Sequence, residues 1–400
     1  MKNYNYKLSE KNLILLFCFV FFLRMFGLFV VSPIIPIYGL NQLEANDFLV
    51  GIAIGVYGFF QFIFQIPLGF ISDIFGRKRI ILFGLVLFFI GSVIGATTFS
   101  LTGLIISRAL QGAGSISSIL MVFMTDLITK KNQTRSMFFL GFSFVFSFVS
   151  SIIIGPIIFH LFGFQFIYII ISILSLLSIV LIYLFFPSDY YSFLNRSKNK
   201  KINYKKILYF IDDDIKILFF SIFLVNFLLT TNFIIFSKEL IFFGFKINNY
   251  WKIYLPIIII DFLVISFFVK KIEKLLFPKT ILLLFVFVLF ISELIFFKNI
   301  NNEFNFFIYL ELFFIFFSFL EFYIPSLIGR IVPVAYKGTI MGLFSMFQFL
   351  GAALGGSVGG LILSIFRLYN VVLFLLGISI IWFLYVYFFF SLRVNRKNKL

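Results

Sequence analysis

Apolar runs of about 20 residues follow one another along almost the whole chain. A helix of that length spans roughly 30 Å, the thickness of the hydrocarbon core of a bilayer. Of the 400 residues 62% are apolar and only 12% are charged, a balance that suits lipid rather than water. The sequence therefore predicts an all-α membrane protein with twelve transmembrane helices. The runs lie at about 13–38, 49–71, 80–98, 101–126, 137–162, 165–187, 215–237, 251–269, 279–297, 304–329, 338–364 and 370–392.

Several simpler classes of protein are disfavoured. The first run is longer than the apolar part of a secretion signal and lacks a small-residue cleavage site, so we interpret it as a retained helix. Cys18 and His160 are the single cysteine and the single histidine, which leaves no set of these residues for a metal site or a nucleophilic pair. The glycine-rich segment 351–360 has no following Lys-Ser/Thr, so it is not a phosphate loop. We expect no cofactor, no metal and no ATP-driven pump.

The net charge of +17 is distributed unevenly between the two sides of the predicted bundle. Of the 33 lysines and arginines, 26 fall on the side that carries both termini and five on the other side. Because cytoplasmic loops are enriched in Lys and Arg, both termini are predicted to lie in the cytoplasm of a bacterial inner-membrane protein. This placement explains the charge without a nucleic-acid partner. The five residues on the other side are Lys238, Lys246, Lys252, Lys298 and Arg367.

The chain divides into two halves of six spans each. The longest polar stretch, Pro187 to Asp214, predicts a solvated cytoplasmic linker at about 188–214, between bundles at 1–187 and 215–400. At an offset near 200, DLITKKNQTRSMFFLG at 126–141 lies over SLIGRIVPVAYKGTIMG at 326–342. Six spans repeated in parallel orientation predict two bundles related by an axis along the membrane normal, an arrangement that suits rocking around a central cavity.

The loop after the second run, GFISDIFGRKR at 69–79, combines two glycines, an acid and three consecutive bases. Asp73 lies at a helix C-terminus, where the helix dipole disfavours an acid, so it needs a positive partner. Arg77 or a helix N-terminus of the other half can provide one. Gly69 permits a close helix approach and Gly76 a tight turn. We interpret the loop as a gate latch, against the alternative of a topogenic loop with an incidental acid. The predicted set is Gly69, Asp73, Gly76, Arg77, Lys78 and Arg79.

This loop resembles the motif that follows the second helix in the major facilitator superfamily. SRALQGAGS at 107–115 is similar to the fourth-helix motif of the proton-linked drug antiporters of that superfamily. LRMFGLFVVSPIIPIYG, GIAIGVYGFFQFIFQIPLGFISD and YKGTIMGLFSMFQFLGAALGGSVGG look most like its YajR-type branch. The resemblance implies a twelve-helix transporter in which Asp73, Arg77 and Asp126, the acid that ends the fourth helix, form a network.

Two departures from the family pattern leave the coupling open. The fifth-helix antiporter motif is reduced to Gly155-Pro156, with Ser151 and Phe159-His160 where the family prefers glycines. The YajR-type pattern includes a small cytoplasmic domain after the last helix, and this chain, which stops at Leu400, is expected to lack it. Antiport, symport and uncoupled facilitation therefore all remain compatible with the sequence.

Ionisable residues inside the spans are functional candidates, because each costs at least ~2.5–3.5 kcal/mol near the centre of a bilayer. In the superfamily layout the first, fourth, seventh and tenth helices line the cavity. That layout predicts a central network of Arg24, Arg108, Glu311 and Glu321, with Glu321 as the first choice of proton carrier and Asp126 contributing from the latch. The alternative for the arginines is structural ion pairing. Asp261 and Glu293, in the eighth and ninth runs, rank lower.

Polar and small residues within the spans complete the predicted sites. Four amide side chains either contact substrate in the cavity or bridge helices; they are Gln61, Gln65, Gln111 and Asn226. Small residues four apart allow helices to approach closely, and in the eleventh run they predict a surface on which the two halves pivot. The predicted packing residues are Gly155, Pro156, Gly351, Gly355 and Gly359.

The function predicted from these features is secondary transport by alternating access, with export of small amphipathic or apolar molecules in exchange for protons. A proton symporter or an uncoupled facilitator for a small metabolite is the alternative within that class. A membrane enzyme is disfavoured because the outer loops are short and no acidic catalytic loop lies there. A non-transporting sensor is the third class, and the buried charges count against it. The expected partners are substrate, protons and lipid, and we expect a monomer.

Overall fold

The computed structural model describes residues 9–41, 45–129, 132–186, 212–245, 250–272, 277–298, 302–332 and 337–391. All regular structure in these ranges is α-helical, with no strand. The first half contains α1 (Glu10–Phe29), α2 (Ile35–Asn41), α3 (Asp47–Phe75), α4 (Arg77–Thr97), α5 (Leu101–Ala113), α6 (Ser117–Leu127), α7 (Gln133–Phe162) and α8 (Phe164–Phe185). The second half contains α9 (Asp213–Phe242), α10 (Tyr250–Ile272), α11 (Pro278–Lys298), α12 (Glu303–Ile331), α13 (Lys337–Ile365) and α14 (Leu368–Phe389).

The helices match the predicted order of spans. Within the described ranges, eleven helical segments are long and apolar enough to cross a membrane, and one of them runs through both α5 and α6. The 23-residue helix α10 lies where the eighth run was predicted. The predicted all-α transmembrane fold is confirmed.

Two of the predicted spans contain an interruption that the sequence analysis did not locate. The first run is divided into α1 and α2, with turns at 30–34 between them. Pro33 and Pro36 lack the backbone N–H that an unbroken helix needs, which accounts for the interruption. The fourth run is divided at 114–116, where Gly114 has ψ of 42° and leaves the helical conformation.

Local sequence explains where several helices begin. The side chains of Ser9, Asn46 and Asp212 accept hydrogen bonds from backbone N–H groups three residues later, at 3.3, 2.9 and 3.1 Å. Such N-caps satisfy donors that a helix start leaves unpaired. Gly76 separates α3 from α4 and has φ of 102°. That conformation favours glycine, so the tight turn between the two helices depends on residue 76.

The two halves meet most closely where α3 crosses α13. A Cβ atom added to Gly51 or Gly55 would collide with the carbonyl oxygens of Gly356 and Ala353, respectively. The contact is therefore backbone against backbone, as small-xxx-small patterns allow. It involves the first part of α3 and the last part of α13, so it lies at the end of the bundle opposite the chain termini; we call this end the far end, and the other the terminal end.

The predicted packing glycines of α13 lie on a different face. Added Cβ atoms at Gly351, Gly355 and Gly359 would collide with α9, at Phe223, Phe227 and Thr231. These glycines therefore pack within the second half, and they are not the glycines of the predicted surface at 351–360 that meet the first half. The face that meets the first half carries Gly356 and Gly360.

The fifth-helix pair shows the same kind of close packing. An added Cβ at Gly155 would lie 2.9 Å from the backbone oxygen of Val30, in the interruption after α1. Pro156 is accommodated inside α7. The region therefore joins α7 to the interrupted first span.

Candidate functional site: a charged gate and two buried polar clusters

The residues of the predicted latch meet at the terminal end of the first half. Arg77 Nη1 lies 2.8 Å from Asp126 Oδ2, and Arg77 Nη2 lies 3.8 Å from Asp73 Oδ1. The Arg77 side chain is 7% exposed, whereas that of Asp73 is 45% exposed. The tighter ion pair thus links the start of α4 to the end of α6, and Asp73 remains accessible beside it. Geometry brings together the three residues that the family resemblance singled out.

Of the other basic residues of the loop, Lys78 contacts the end of α8 and Arg79 is exposed to the surroundings. Lys78 Nζ donates to the backbone oxygens of Tyr183 at 2.9 Å and Phe186 at 2.7 Å, which fastens the loop to the end of α8. Such a cation satisfies carbonyls that a helix end leaves unpaired. Among the described residues, Gly69 has no heavy atom within 4 Å of an added Cβ, so none of the described helices packs closely against it in this conformation.

Glu10 is a terminal-end residue that the sequence analysis missed. Its Oε1 accepts hydrogen bonds from Thr129 N at 2.7 Å and Thr129 Oγ1 at 2.9 Å, and its Oε2 accepts from Asn132 Nδ2 at 3.0 Å. These bonds tie the start of α1 to the segment that follows Asp126. An acid in the first turn of a helix was the available signal, but its partners lie far away in the sequence.

Arg24 lies at the interruption of the fourth span. Its Nη2 donates to the backbone oxygens of Gln111 at 3.4 Å and Gly114 at 3.3 Å, and to Gln61 Oε1 at 3.3 Å. Its guanidinium also lies 4.1 Å from the ring centroid of Phe88. Because the break between α5 and α6 leaves carbonyl groups without intrahelical partners, the buried cation compensates for it.

Arg108 belongs to the same cluster. Its Nη1 donates to Gln111 Oε1 at 3.1 Å, and Gln111 Nε2 donates in turn to Ser92 Oγ at 2.9 Å. Its guanidinium lies 4.5 Å from the ring centroid of Tyr57, within the range of a cation–π contact. We call Arg24, Arg108 and their partners the arginine cluster. Gln61 extends it to Ser117 at 3.4 Å, and Ser115 donates to Gln65.

The arginine cluster corrects two expectations. Arg24 and Arg108 are 2% and 1% exposed, so both guanidinium groups are buried inside the first half. Among the described residues neither forms an ion pair, and amides, carbonyls and rings surround them instead. They are therefore not joined to Glu311 or Glu321 in this conformation, and structural ion pairing is not found either.

Glu321 forms a separate cluster in the second half. Its Oε1 accepts from Asn226 Nδ2 at 2.6 Å and its Oε2 from Gln348 Nε2 at 3.0 Å. All three side chains are less than 9% exposed. Their helices, α9, α12 and α13, belong to one half, so we call this set the glutamate cluster. Gln348 was not among the predicted residues, although it lies in the same segment as the eleventh-span glycines.

The other three acids singled out from the sequence in the second half lie outside this cluster. Asp261 Oδ2 accepts from Ser318 Oγ at 2.7 Å, and Glu293 Oε2 accepts from Ser379 Oγ at 2.7 Å. Asp261 is 3% exposed and Glu293 is fully buried. Glu311 is partly buried, and its Oε1 is buried without a hydrogen-bond partner.

Among the described residues, one ion pair joins the two halves at the far end. Lys238 Nζ, on α9, lies 2.6 Å from Asp47 Oδ2 at the start of α3. The Asp47 side chain is 13% exposed and that of Lys238 is 34% exposed. Asp47 lies beside the glycine contact, since an added Cβ at Gly360 would lie 2.5 Å from its backbone oxygen. Sequence analysis missed this pair because no short-range pattern connects residues so far apart.

Comparison with known proteins identifies the family. A sequence profile described as Major Facilitator Superfamily matches residues 17–326. The chain belongs to the major facilitator superfamily. It is therefore a multi-pass membrane transporter, and the expectation that it is not an enzyme is confirmed by its relatives.

The relatives cover the chain almost from end to end. An uncharacterized transporter of Buchnera aphidicola subsp. Schizaphis graminum is 40% identical over 97% of this chain and 99% of its own length. The inner membrane transport protein YajR of Escherichia coli is 37% identical over 87% of this chain and 76% of its own length. The predicted resemblance to the YajR-type branch is thus confirmed.

Solved structures show the same fold. A D-xylose-proton symporter superimposes with a TM-score of 0.74 over 96% of this chain and 98% of its own, at 14% sequence identity. A human organic anion transporter superimposes with a TM-score of 0.70 at 15% identity. At these identities the likeness establishes the superfamily fold alone.

Proposed function

We propose that this transporter exports small amphipathic or apolar molecules in exchange for protons, by alternating access. Its moving units are the bundles at 1–187 and 215–400, joined by the linker at 188–214. The observation that carries this proposal is the difference between the two ends of the bundle. At the far end Gly51 and Gly55 contact α13 through backbone atoms, whereas an added Cβ at Gly69 on the same helix would meet no heavy atom of the described residues within 4 Å.

The surroundings of Gly55 and Gly69 indicate that the distance between α3 and the second half increases toward the terminal end. Fourteen residues of helix separate the two glycines, about 21 Å along the axis. With the termini in the cytoplasm, as the charge distribution favours, this is a state closed to the outside. In the opposite state, the loop at 69–79 closes against the second half, and Asp73, Arg77 and Asp126 exchange partners. The Asp47–Lys238 pair then separates, so each end has its own latch.

Glu321 is the carboxyl group proposed to exchange protons with the transported molecule. Glu321 is buried and accepts hydrogen bonds from amide groups on α9 and α13. Both of these helices contact the first half. Since Asn226 and Gln348 donate to the carboxylate, protonation removes one acceptor and loosens the cluster. Substrate binding that competes for the same amides would couple the two events.

Symport or uncoupled facilitation is the second candidate. Its specific support is the fifth-helix segment, where Gly155-Pro156 is the remainder of the antiporter motif. The D-xylose-proton symporter among the similar structures is compatible with it through the shared fold. In either case the protein is proposed to act as a monomer in the bacterial inner membrane.

Flux into and out of proteoliposomes tests the proposal. The purified transporter is reconstituted with an imposed pH gradient and an internal pH dye, and is offered amphipathic cations and small metabolites. Substrate movement opposite to proton movement, lost in Glu321→Gln and in Asp73→Asn, is the expected result. Glu293→Gln is the matched control, because that acid is also buried but contacts neither cluster. Flux that does not depend on the pH gradient would reject proton coupling and support uncoupled facilitation.

A further inference from the structure

Asp261, on α10, is a buried acid that forms a hydrogen bond to the described residues through only one of its two carboxylate oxygens. Its Oδ2 accepts the Ser318 hydrogen bond, but Oδ1 is buried and has no hydrogen-bond partner in the part of the chain that the structure describes. Among the described residues no lysine or arginine lies within ion-pair distance of it. A carboxylate removed from water without a compensating cation is strongly disfavoured. A proton or another bound cation would therefore stabilise Asp261 in this environment.

A second carboxyl group, that of Glu311, lies on the same face of α12 as Ser318. The two residues are seven positions apart, two turns of helix. Glu311 Oε1 is also buried without a hydrogen-bond partner. Because like charges repel in a medium of low dielectric, a bound cation or a proton would stabilise two carboxyl groups on neighbouring helices.

The other ionisable groups around Asp261 do not provide that cation. On α10 itself, Tyr254 is buried two turns earlier and Lys252 is exposed near the helix start. On α7, which packs against α10, the described ionisable side chain is His160, exposed near the end of the helix. On α12, the two carboxylate oxygens of Glu321 accept hydrogen bonds from Asn226 and Gln348.

Glu293 provides an internal comparison. It too is buried, accepts one serine hydroxyl at 2.7 Å and has one oxygen without a hydrogen-bond partner. However, its helices α11 and α14 pack principally against helices of their own half, whereas α10 contacts α7 of the other half. Rocking of the halves therefore changes the surroundings of Asp261 and leaves those of Glu293 largely unaltered.

We propose that Asp261, Ser318 and Glu311 form a binding site for a small monovalent cation, a proton or Na⁺, which neutralises Asp261. This site is distinct from the glutamate cluster, where amide donors occupy both carboxylate oxygens. Its role as a coupling-ion site rests on the proposed transport function. The binding itself does not, since it requires only the folded protein.

Carbodiimide labelling tests the site without any substrate. Dicyclohexylcarbodiimide reacts with protonated carboxyl groups in apolar surroundings, and labelled peptides are quantified by mass spectrometry. The purified full chain is labelled from acidic to alkaline pH, with NaCl or with choline chloride at equal ionic strength. We expect labelling at Asp261 that is lost on alkalinisation. Protection by Na⁺ but not by choline would identify a sodium site, and pH dependence alone a proton site.

The peptide that contains Glu293 is the matched reference. Labelling of Glu293 without labelling of Asp261, or labelling of Asp261 that ignores both pH and Na⁺, would overturn the proposal. If neither acid is labelled, the temperature of thermal unfolding in detergent provides the second test of the site. The unfolding temperature of the wild type must shift with pH or Na⁺, and that shift must be lost in Asp261→Asn, weakened in Ser318→Ala and kept in Glu293→Gln. Equal shifts in all four proteins would reject the site.

These outcomes separate the site from the proposed transport. Cation-dependent labelling together with gradient-independent flux would keep the site and reject proton-coupled export. Gradient-driven flux that persists in Asp261→Asn would keep the export and show that this site does not couple it.

Discussion

The two halves of the transporter bury charges of opposite sign. Among the described residues, the charged side chains that are buried in the first half are arginines, whereas those in the second half are carboxylates. The first set is Arg24, Arg77 and Arg108, and the second is Glu239, Asp261, Glu293 and Glu321. An arginine remains protonated in proteins, while a buried carboxyl group gains or loses a proton as its surroundings change. The first half therefore holds fixed charge, and the second holds charge that can be switched.

The way in which these charges are satisfied also differs. Arg24 is held mainly by backbone oxygens at a break in a helix, so it stabilises the path of the chain. Glu321 is held by two side-chain amides from neighbouring helices, so it depends on how those helices sit together. The buried arginine therefore stabilises a fixed part of the chain, whereas the hydrogen bonds of the buried glutamate change if its neighbouring helices move.

Removing Arg24 is expected to have the largest effect on stability. Arg24→Ala leaves the carbonyl oxygens at the α5–α6 break without their charged donor, at a cost of about 3 kcal/mol in free energy of unfolding. Reversible unfolding in mixed detergent micelles measures it, with Arg24→Lys as the control that keeps the charge. A stability equal to that of the wild type would remove the architectural role.

Two substitutions at Glu321 sharpen the contrast. Glu321→Ala removes the acceptor of Gln348 Nε2 and one of the two acceptors of Asn226 Nδ2, which still donates to Ile222 O, and is expected to cost about 2 kcal/mol. Glu321→Gln keeps a carbonyl acceptor, and its cost is expected to be less than half of that. The same unfolding measurement distinguishes them. If the two variants were equally unstable, the amide bonds would not be what holds the cluster together.

The smallest expected effect is at the ion pair between the halves. Because Asp47 and Lys238 are partly exposed, their coupling free energy is expected to be only about 0.5–1 kcal/mol. A double-mutant cycle with Asp47→Asn and Lys238→Gln measures it, and each single variant should increase the accessibility of far-end cysteine probes to a water-soluble maleimide. Additive effects of the two substitutions would show that the pair does not hold the far end closed.

The sequence was most informative where a feature is local. The turn at Gly76 and the approach of Asp73 to Arg77 four residues later both depend on neighbouring residues. The loop at 69–79 was recognisable for that reason. The link from Arg77 to Asp126 came from the family resemblance, since nothing in the spacing of the two residues predicts their contact.

The partners of the buried charges were not predictable in the same way. Arg24, Arg108, Glu311 and Glu321 were expected in one central network, but the structure separates the arginines from the acids. With 68 phenylalanines spread along the chain, apolar periodicity does not mark which face of a helix meets which neighbour. The glycine stripe of α13 illustrates the difficulty, because residues one position apart, Gly355 and Gly356, contact opposite halves.

The sequence by itself determined the class of protein, the order of its membrane-spanning segments and its superfamily. These follow from hydropathy over about 20 residues and from short motifs, both of which are properties of contiguous chain. Only the tertiary structure decided that Arg24 compensates for a broken helix, that Asp47 meets Lys238, and that Asp261 keeps an unpaired oxygen. Each depends on the rotation and crossing of helices distant in sequence, which packing of the whole bundle fixes.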